Sequence, residues 1–179
     1  IPLAGKNLTF DIAHRFKTTM EQAEELKKRY GISKTALATN EKITIKGVKG
    51  RESVEINQKD LAEVIEPRMV EILTKSLEQI KKSNVAHKLN FGVVITGGGS
   101  QLKSLIDLSQ EIFNMPVKIG FPEIVDSEVS QYKNNPRYAT AFGIVQYASS
   151  CKADDFTSNA EFSVVNKFKK LINKLTNWY

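Results

Sequence analysis

The stretch that decides the fold is Phe91-Gly-Val-Val-Ile-Thr-Gly-Gly-Gly-Ser-Gln-Leu-Lys-Ser-Leu105. It reads as an apolar strand that runs into three glycines and then straight into an amphipathic helix. Glycine has no Cβ, so its backbone adopts positive φ and lets a flat or charged ligand approach to contact distance, while the following helix N-terminus presents unpaired N–H groups. The stretch predicts a ligand-binding turn or, as the alternative, a tight connection that binds nothing.

Two common nucleotide-binding loops do not fit this turn. The Rossmann fingerprint needs a small residue where Leu102 stands, and the P-loop needs Gly-Lys-Ser or Gly-Lys-Thr, which the chain lacks. A dinucleotide-binding fold and a kinase-type phosphate loop are therefore both disfavoured.

The segments that follow the turn indicate an α/β fold. A helix to about Phe113 and a strand at residues 117–120 complete a β-α-β succession, which favours a parallel or mixed sheet. Pro136 suits the first turn of a further helix that runs to Tyr147, and its small residues Ala139 and Gly143 allow close packing on a sheet.

The segments before the turn predict a helical region with one hairpin. Thr19 and Gln22 form a capping-box pattern at the start of a helix over residues 18–31, and Gly31 supplies its stop. Alternating apolar residues at 43–47 and 53–56 predict a short hairpin.

A long helical pattern follows the hairpin. Asn57 caps it, and apolar residues recur at helical spacing as far as Ile80. Pro67 lies inside this pattern and should kink or divide the helix, because proline lacks an N–H and clashes with the preceding turn.

Composition excludes several classes of function. The 179 residues, 41% of them apolar, suffice for one substantial core. A single cysteine, Cys151, excludes an internal disulfide framework, and His14 and His87 have no neighbours at metal-ligand spacing. We therefore predict no metal site and assign no role to either histidine.

The net charge of +6 is concentrated at the C-terminus. Four lysines and no acidic residue fall in the last eighteen residues, so the other 161 residues carry only +2. This nearly neutral body argues against a nucleic-acid-binding protein. The chain opens at Ile1-Pro2 with no initiator methionine, signal peptide or apolar run of bilayer length, which leads us to expect a fragment or a processed protein.

Residues 162–179 form a strongly amphipathic helical pattern after a short polar linker, residues 149–161. At 100° per residue the apolar side chains from Val164 to Tyr179 fall within an arc of about 140°. The predicted membrane-binding residues are Phe168, Leu171, Ile172, Leu175 and Trp178, together with Lys167, Lys170 and Lys174. Such a helix suits the interface of an anionic membrane. Docking on its own domain or on a partner helix is the alternative.

Five segments resemble, in order and spacing, the bacterial cell-division FtsA family, whose members are actin-like ATP-binding proteins. They are residues 1–13, 23–31 and 61–68, Val93-Val-Ile-Thr-Gly-Gly-Gly99 and Tyr138-Ala-Thr-Ala-Phe-Gly143. The resemblance implies an α/β fold: an actin-like, ribonuclease H-like subdomain 2A (residues 1–18 and 89–148), an inserted α+β subdomain 2B (residues 19–88), and the C-terminal amphipathic helix in the place of the family's membrane-targeting sequence.

The resemblance also implies part of a nucleotide site. Gly97, Gly98 and Gly99 would form the adenosine side of the cleft, and Glu24 and Lys27 would contact ribose and adenine. Without the resemblance, Glu24 and Lys27 would read as an exposed ion pair. The family's phosphate-binding hairpins and magnesium-organising carboxylate would lie before Ile1. We therefore expect ATP with Mg²⁺ in the full-length protein, no tightly bound cofactor here, and no enzyme activity from this chain alone.

The partners implied by the resemblance are an anionic membrane surface, the C-terminal peptide of the tubulin-like protein FtsZ, further copies of the protein in actin-like filaments, and later cell-division proteins. An acidic and apolar peptide needs a groove edged by cations, for which Arg68 and Lys75 are the candidates. The expected location is the cytoplasmic face of the plasma membrane at the division site. The alternative is a fragment of a sugar-kinase or chaperone-type ATPase of the same superfold, whose members have no reason to end in a cationic interfacial helix.

Overall fold

The structure is a computed structural model that describes residues 2–48, 50, 52–83, 89, 91–123 and 132–150. The chain divides into two compact units, residues 1–140 and residues 141–179. The helices are α1 (Gly5–Phe16), α2 (Met20–Tyr30), α3 (Gln58–Lys82), α4 (Leu105–Phe113) and α5 (Ala139–Ser150), and the strands are β1 (Lys42–Ile45), β2 (Val54–Asn57), β3 (Val93–Ile95) and β4 (Val117–Ile119).

The first two strands form the predicted hairpin. β1 and β2 pair antiparallel, with Ile43 opposite Ile56, and Ile43, Ile45 and Ile56 are buried. Because alternate residues of a strand point to opposite faces, these isoleucines place one face of the hairpin on the core. The prediction of a short strand pair is confirmed.

The second sheet confirms the predicted β-α-β succession. β3 and β4 pair parallel, with Val93 opposite Val117 and Ile95 opposite Ile119. A parallel pair needs a crossover connection, and α4 supplies it. This helix packs against β4, and its residues Leu105, Leu108 and Phe113 are buried.

One hydrophobic core runs through the first unit. α1 packs on α2 and α3, and α3 packs on α4. The core side chains from these helices are Leu8, Ile12, Ala23, Leu26, Leu61, Ile65, Met69, Leu73, Leu105 and Leu108. The proposed boundaries between subdomains 2A and 2B stay a prediction.

The α2 helix confirms its predicted N-terminal cap and its predicted end at Gly31, but the reason for a glycine at this position differs. Thr19 Oγ1 accepts from the Gln22 N–H at 3.2 Å, while the Gln22 side chain accepts from Thr18 instead of closing a capping box. Gly31 has φ −61°, so it does not end the helix with a left-handed turn. A Cβ there would lie 2.2 Å from the Lys27 carbonyl oxygen, and the close approach of the chain is what requires glycine.

The α3 helix continues through Pro67, so of the two predicted outcomes the division of the helix is wrong, and the kink stays a prediction. Pro67 is exposed, and buried Ile65 and Met69 anchor the helix on either side. The packing of these buried residues therefore outweighs the local penalty of the missing N–H.

Candidate functional site

The glycine turn, residues 97–99, is held by backbone hydrogen bonds on both sides. Gly97 has φ 88° and ψ 173°, a conformation that is essentially restricted to glycine. Its N–H donates to the Pro136 carbonyl at 3.1 Å, and its carbonyl accepts from the Ser100 N–H at 3.1 Å and from Ser100 Oγ at 2.7 Å. The turn is therefore a fixed feature of the backbone.

The outer surface of the turn is open. A Cβ added to Gly97 or Gly99 would meet no heavy atom within 4 Å in the described part of the chain, whereas one on Gly98 would lie 3.7 Å from Cγ of Arg137. A planar group could thus reach the main chain of the turn beside the Arg137 side chain. Arg137 is a neighbour that sequence spacing did not reveal.

A helix does not follow the glycines directly, contrary to the prediction. A 3₁₀ turn over Gly98–Gln101 and an irregular segment precede α4, and Ser104 adopts a left-handed conformation with φ 59°. The irregular segment is held beside residues 32–33, because the Lys103 carbonyl accepts from both the N–H and the hydroxyl of Ser33. The free N–H groups of α4 therefore begin several residues after the turn.

Glu24 and Lys27 form a compact polar cluster with α1. Lys27 Nζ lies 2.5 Å from Glu24 Oε2 and donates to Thr9 Oγ1 at 2.9 Å and to the Gly5 carbonyl at 3.1 Å. Thr9 Oγ1 lies 2.5 Å from the same Glu24 oxygen. Thr9 is buried, and nothing in the sequence pattern marked it as the residue that joins the pair to α1.

The charge state of Glu24 follows from this cluster. Burial acts to raise the pKa of Glu24, but hydrogen bonds from Lys27 and Thr9, with the charges of Lys27 and Lys28, outweigh it and hold the pKa below its usual value. Glu24 is therefore a carboxylate at neutral pH, able to accept hydrogen bonds from hydroxyl groups.

A chain of contacts joins this cluster to the exit of the glycine turn. Gly31 lies one helical turn after Lys27, and a Cβ there would lie 2.9 Å from Cδ1 of Leu102. The Leu102 N–H in turn donates to the Gly99 carbonyl at 3.2 Å. The structure thus connects the two predicted groups of nucleotide-contacting residues through the end of α2.

The cations Arg68 and Lys75 are already paired. Arg68 donates to both carboxylate oxygens of Asp11, from Nε at 2.6 Å and from Nη2 at 3.0 Å, and Nη1 contacts Glu71. Lys75 Nζ lies 2.9 Å from Glu71. The hydrogen bond to Asp11 is the main cause that raises the pKa of Arg68, and the one from Lys75 lowers that of Glu71. The predicted peptide-binding cations thus belong to an ion network that includes Asp11, 57 residues away from Arg68 in sequence.

An apolar groove with a cationic edge lies at the end of α1. Its volume is about 270 Å³, and it is lined by Arg15, Phe16, Lys17, Ile45, Val54, Ile56 and Asp60. Val54 is 56% exposed, so the groove offers apolar surface to solvent. Among the residues that the structure describes, no carboxylate lies within 4 Å of the charged atoms of Arg15 or Lys17. We call this the α1–hairpin groove.

The predicted membrane-binding residues lie outside the described residues, as does the linker beyond Ser150. The first two linker positions, Ser149 and Ser150, belong to the end of α5. Within the described ranges, no helix combines the length and the apolar character needed to cross a bilayer, and no group of three or more potential metal ligands converges.

Comparison with known proteins gives the family. The family model "Cell division protein FtsA" matches residues 1–143. The chain belongs to the FtsA family. Cell division protein FtsA of Pseudomonas aeruginosa is 32% identical over 182 residues, and that of Escherichia coli K12 is 31% identical over 186 residues. Each alignment covers 99% of this chain but only 43% and 44% of the relative, so the chain spans less than half the length of these FtsA proteins.

Solved structures agree on the fold. MreB5 of Spiroplasma citri, solved bound to ADP, superposes with a TM-score of 0.62 at 16% identity, covering 86% of this chain and 46% of MreB5. A structure of the PilM–PilN pilus biogenesis complex gives a TM-score of 0.56 at 22% identity, covering 82% of this chain and 37% of the matched chain. The predicted actin-like α/β fold is confirmed, and membership of the FtsA family decides against the sugar-kinase and chaperone-type alternatives.

Proposed function

We propose that this chain is the part of an actin-like cell-division protein that holds FtsZ filaments at the cytoplasmic face of the membrane at the division site. The observation that carries the proposal is the family match over residues 1–143, joined in the sequence to the cationic amphipathic segment 162–179. One region would bind a cytoskeletal peptide and the other would bind lipid. Scaffolding of later cell-division proteins would follow from that position.

The α1–hairpin groove refines where the FtsZ peptide would bind. Arg68 is occupied by Asp11 and Glu71, so an acidic peptide would have to compete with two carboxylates for it. Arg15 and Lys17 form no ion pair in the described part of the chain, although Asp60 also lines the groove, and they edge the apolar side chains of Phe16 and Val54. We propose that the peptide places apolar side chains in the groove and its carboxylates on Arg15 and Lys17, with Arg68 and Lys75 as a neighbouring charged surface.

We also propose that the full-length protein binds ATP with Mg²⁺ and that this chain supplies the adenosine side of the site. The open glycine turn and the ionised Glu24 support this proposal. Self-association into actin-like filaments would depend on the complete protein. This chain alone would not hydrolyse ATP, because it would lack the residues that hold the phosphates.

Vesicle flotation tests the membrane part of the proposal. The intact chain should float with vesicles that contain anionic lipid, and deletion of residues 162–179 should abolish flotation. Replacement of Leu171 and Leu175 by Asp should act like the deletion, because it removes the apolar stripe and keeps the lysines. Equal flotation of the intact and truncated chains would refute the tethering role.

Fluorescence anisotropy with a labelled FtsZ C-terminal peptide tests the groove. Reversing Arg15 and Lys17 to Glu should weaken binding about tenfold or more, because two attractive contacts become repulsive. The matched control reverses Lys81 and Lys82, two exposed lysines at the far end of α3, and should change binding little. Equal losses in both variants would show a non-specific charge effect and refute the groove.

A further inference from the structure

Arg137 is held in a fixed position beside the glycine turn. Its N–H donates to Asn135 Oδ1 at 3.0 Å, and the same oxygen accepts from Gln101 Nε2 at 3.3 Å. The preceding residue, Pro136, accepts the Gly97 N–H. These bonds tie residues 135–137 to both ends of the turn, so the Arg137 backbone cannot shift without it.

The guanidinium of Arg137 is available for a ligand. The Arg137 side chain is exposed, and its Cγ would lie 3.7 Å from a Cβ added to Gly98. Within the described ranges no carboxylate forms an ion pair with it, in contrast to Arg68. Because the Arg137 side chain lies beside the turn and its planar guanidinium is unpaired, another planar group can stack on it.

The backbone of the turn favours a planar ligand over a phosphate. An anion-binding turn presents several free N–H groups to its ligand. Here the N–H groups of Gly97, Ser100 and Leu102 already donate to carbonyl oxygens, which leaves at most those of Gly98 and Gly99 for an anion. Beside Gly97 and Gly99 there is open space, because a Cβ built on either residue would meet no heavy atom within 4 Å in the described part of the chain.

We infer that Arg137 covers one face of a purine base that lies against the glycine turn, and that it thereby helps to select a planar base at this position. The inference rests on the proposed nucleotide site and adds a residue to it. The contact is a stacking of the guanidinium on the base, so it depends on the planar group as well as on the positive charge.

The test is an NMR titration of the 179-residue chain with adenosine, with ADP and with inorganic pyrophosphate, in wild type and three variants. Arg137→Ala should weaken the binding of adenosine and of ADP by the same factor, about two- to fivefold. Arg137→Lys keeps the positive charge but removes the planar guanidinium, so it should weaken binding as much as Arg137→Ala does. Lys81→Ala removes one exposed charge elsewhere and should bind like wild type. Unchanged amide shifts away from the turn check that each variant is folded.

The outcomes separate this inference from the proposed site. If wild type shows no shift at residues 97–99 with adenosine or ADP, the nucleotide site itself fails and the inference fails with it. If wild type binds and Arg137→Ala binds equally well, only the inference is overturned. Weakened binding of ADP and pyrophosphate with unchanged binding of adenosine would show a phosphate contact, and full rescue by lysine would show a contact that needs only the charge. Either result would also overturn the inference.

Discussion

The glycine turn and the Arg68 network are two regions where the sequence predicted ligand contacts. In the folded chain the surface of the turn is open, whereas the Arg68 side chain is already paired. At the turn, neighbouring segments satisfy the backbone of Gly97 and leave its outer surface open. On α3, the Arg68 side chain forms ion pairs with Asp11 and Glu71. A site made of main chain stays available after folding, whereas a long cationic side chain on a packed helix finds carboxylates nearby. Residue type alone therefore overstates the availability of Arg68.

The largest effect is expected from Gly97→Ala. At φ 88° and ψ 173° any side chain is strained, so the free energy of unfolding should fall by about 1–3 kcal/mol. The matched control is Gly99→Ala, where φ is not positive and a Cβ meets open space, and it should cost much less. Urea unfolding of both variants measures the difference. Equal losses of unfolding free energy in the two variants would mean that the positive φ of Gly97 does not make alanine more costly there than at Gly99.

A smaller effect is expected from the Arg68–Asp11 pair. A double-mutant cycle with Arg68→Gln and Asp11→Asn should give a coupling of about 1 kcal/mol, reduced by solvent because both side chains are about a quarter exposed. The control cycle on the more exposed pair Arg29 and Glu25 should give a smaller coupling. A coupling of Arg68 with Asp11 no larger than the control would indicate that Arg68 is effectively free for a ligand.

The pH dependence of stability tests the Glu24 cluster. The pKa of Glu24 in the folded chain lies below the ordinary value of 4.5, so the unfolded chain binds the proton more tightly. The contribution of Glu24 to the free energy of unfolding is fully present above pH 4.5 and is lost as the pH falls towards the pKa of Glu24 in the folded chain. Urea unfolding between about pH 6 and pH 3 should show a steeper loss in wild type than in Glu24→Gln. Parallel curves would mean that the cluster does not stabilise the carboxylate.

The smallest effect is expected from Lys75→Ala. Lys75 is about half exposed and contacts only the outer edge of the network through Glu71, so the unfolding midpoint should hardly move. The same variant sharpens the peptide question. If it weakens the FtsZ peptide as strongly as reversal of Arg15 and Lys17, the binding surface follows α3 and the α1–hairpin groove is not its centre.

Several elements were predictable because they depend on local chemistry. The Thr19 cap, the alternating hairpin strands and the β-α-β succession follow from residue spacing and dihedral preference, which act over a few residues. The ordered segments that resemble the FtsA family are likewise a property of the sequence, and the family match bears them out.

The sequence by itself therefore determined the elements, the family and the glycine turn as a backbone feature. Only the tertiary structure decided which side chains stay free. Thr9 meets Lys27 across two helices, Asp11 neutralises Arg68 from 57 residues away, and Arg137 reaches Gly98 from another segment. The physical reason is that such contacts depend on how the helices pack around the core. The periodicity of residues along the chain does not predict that packing.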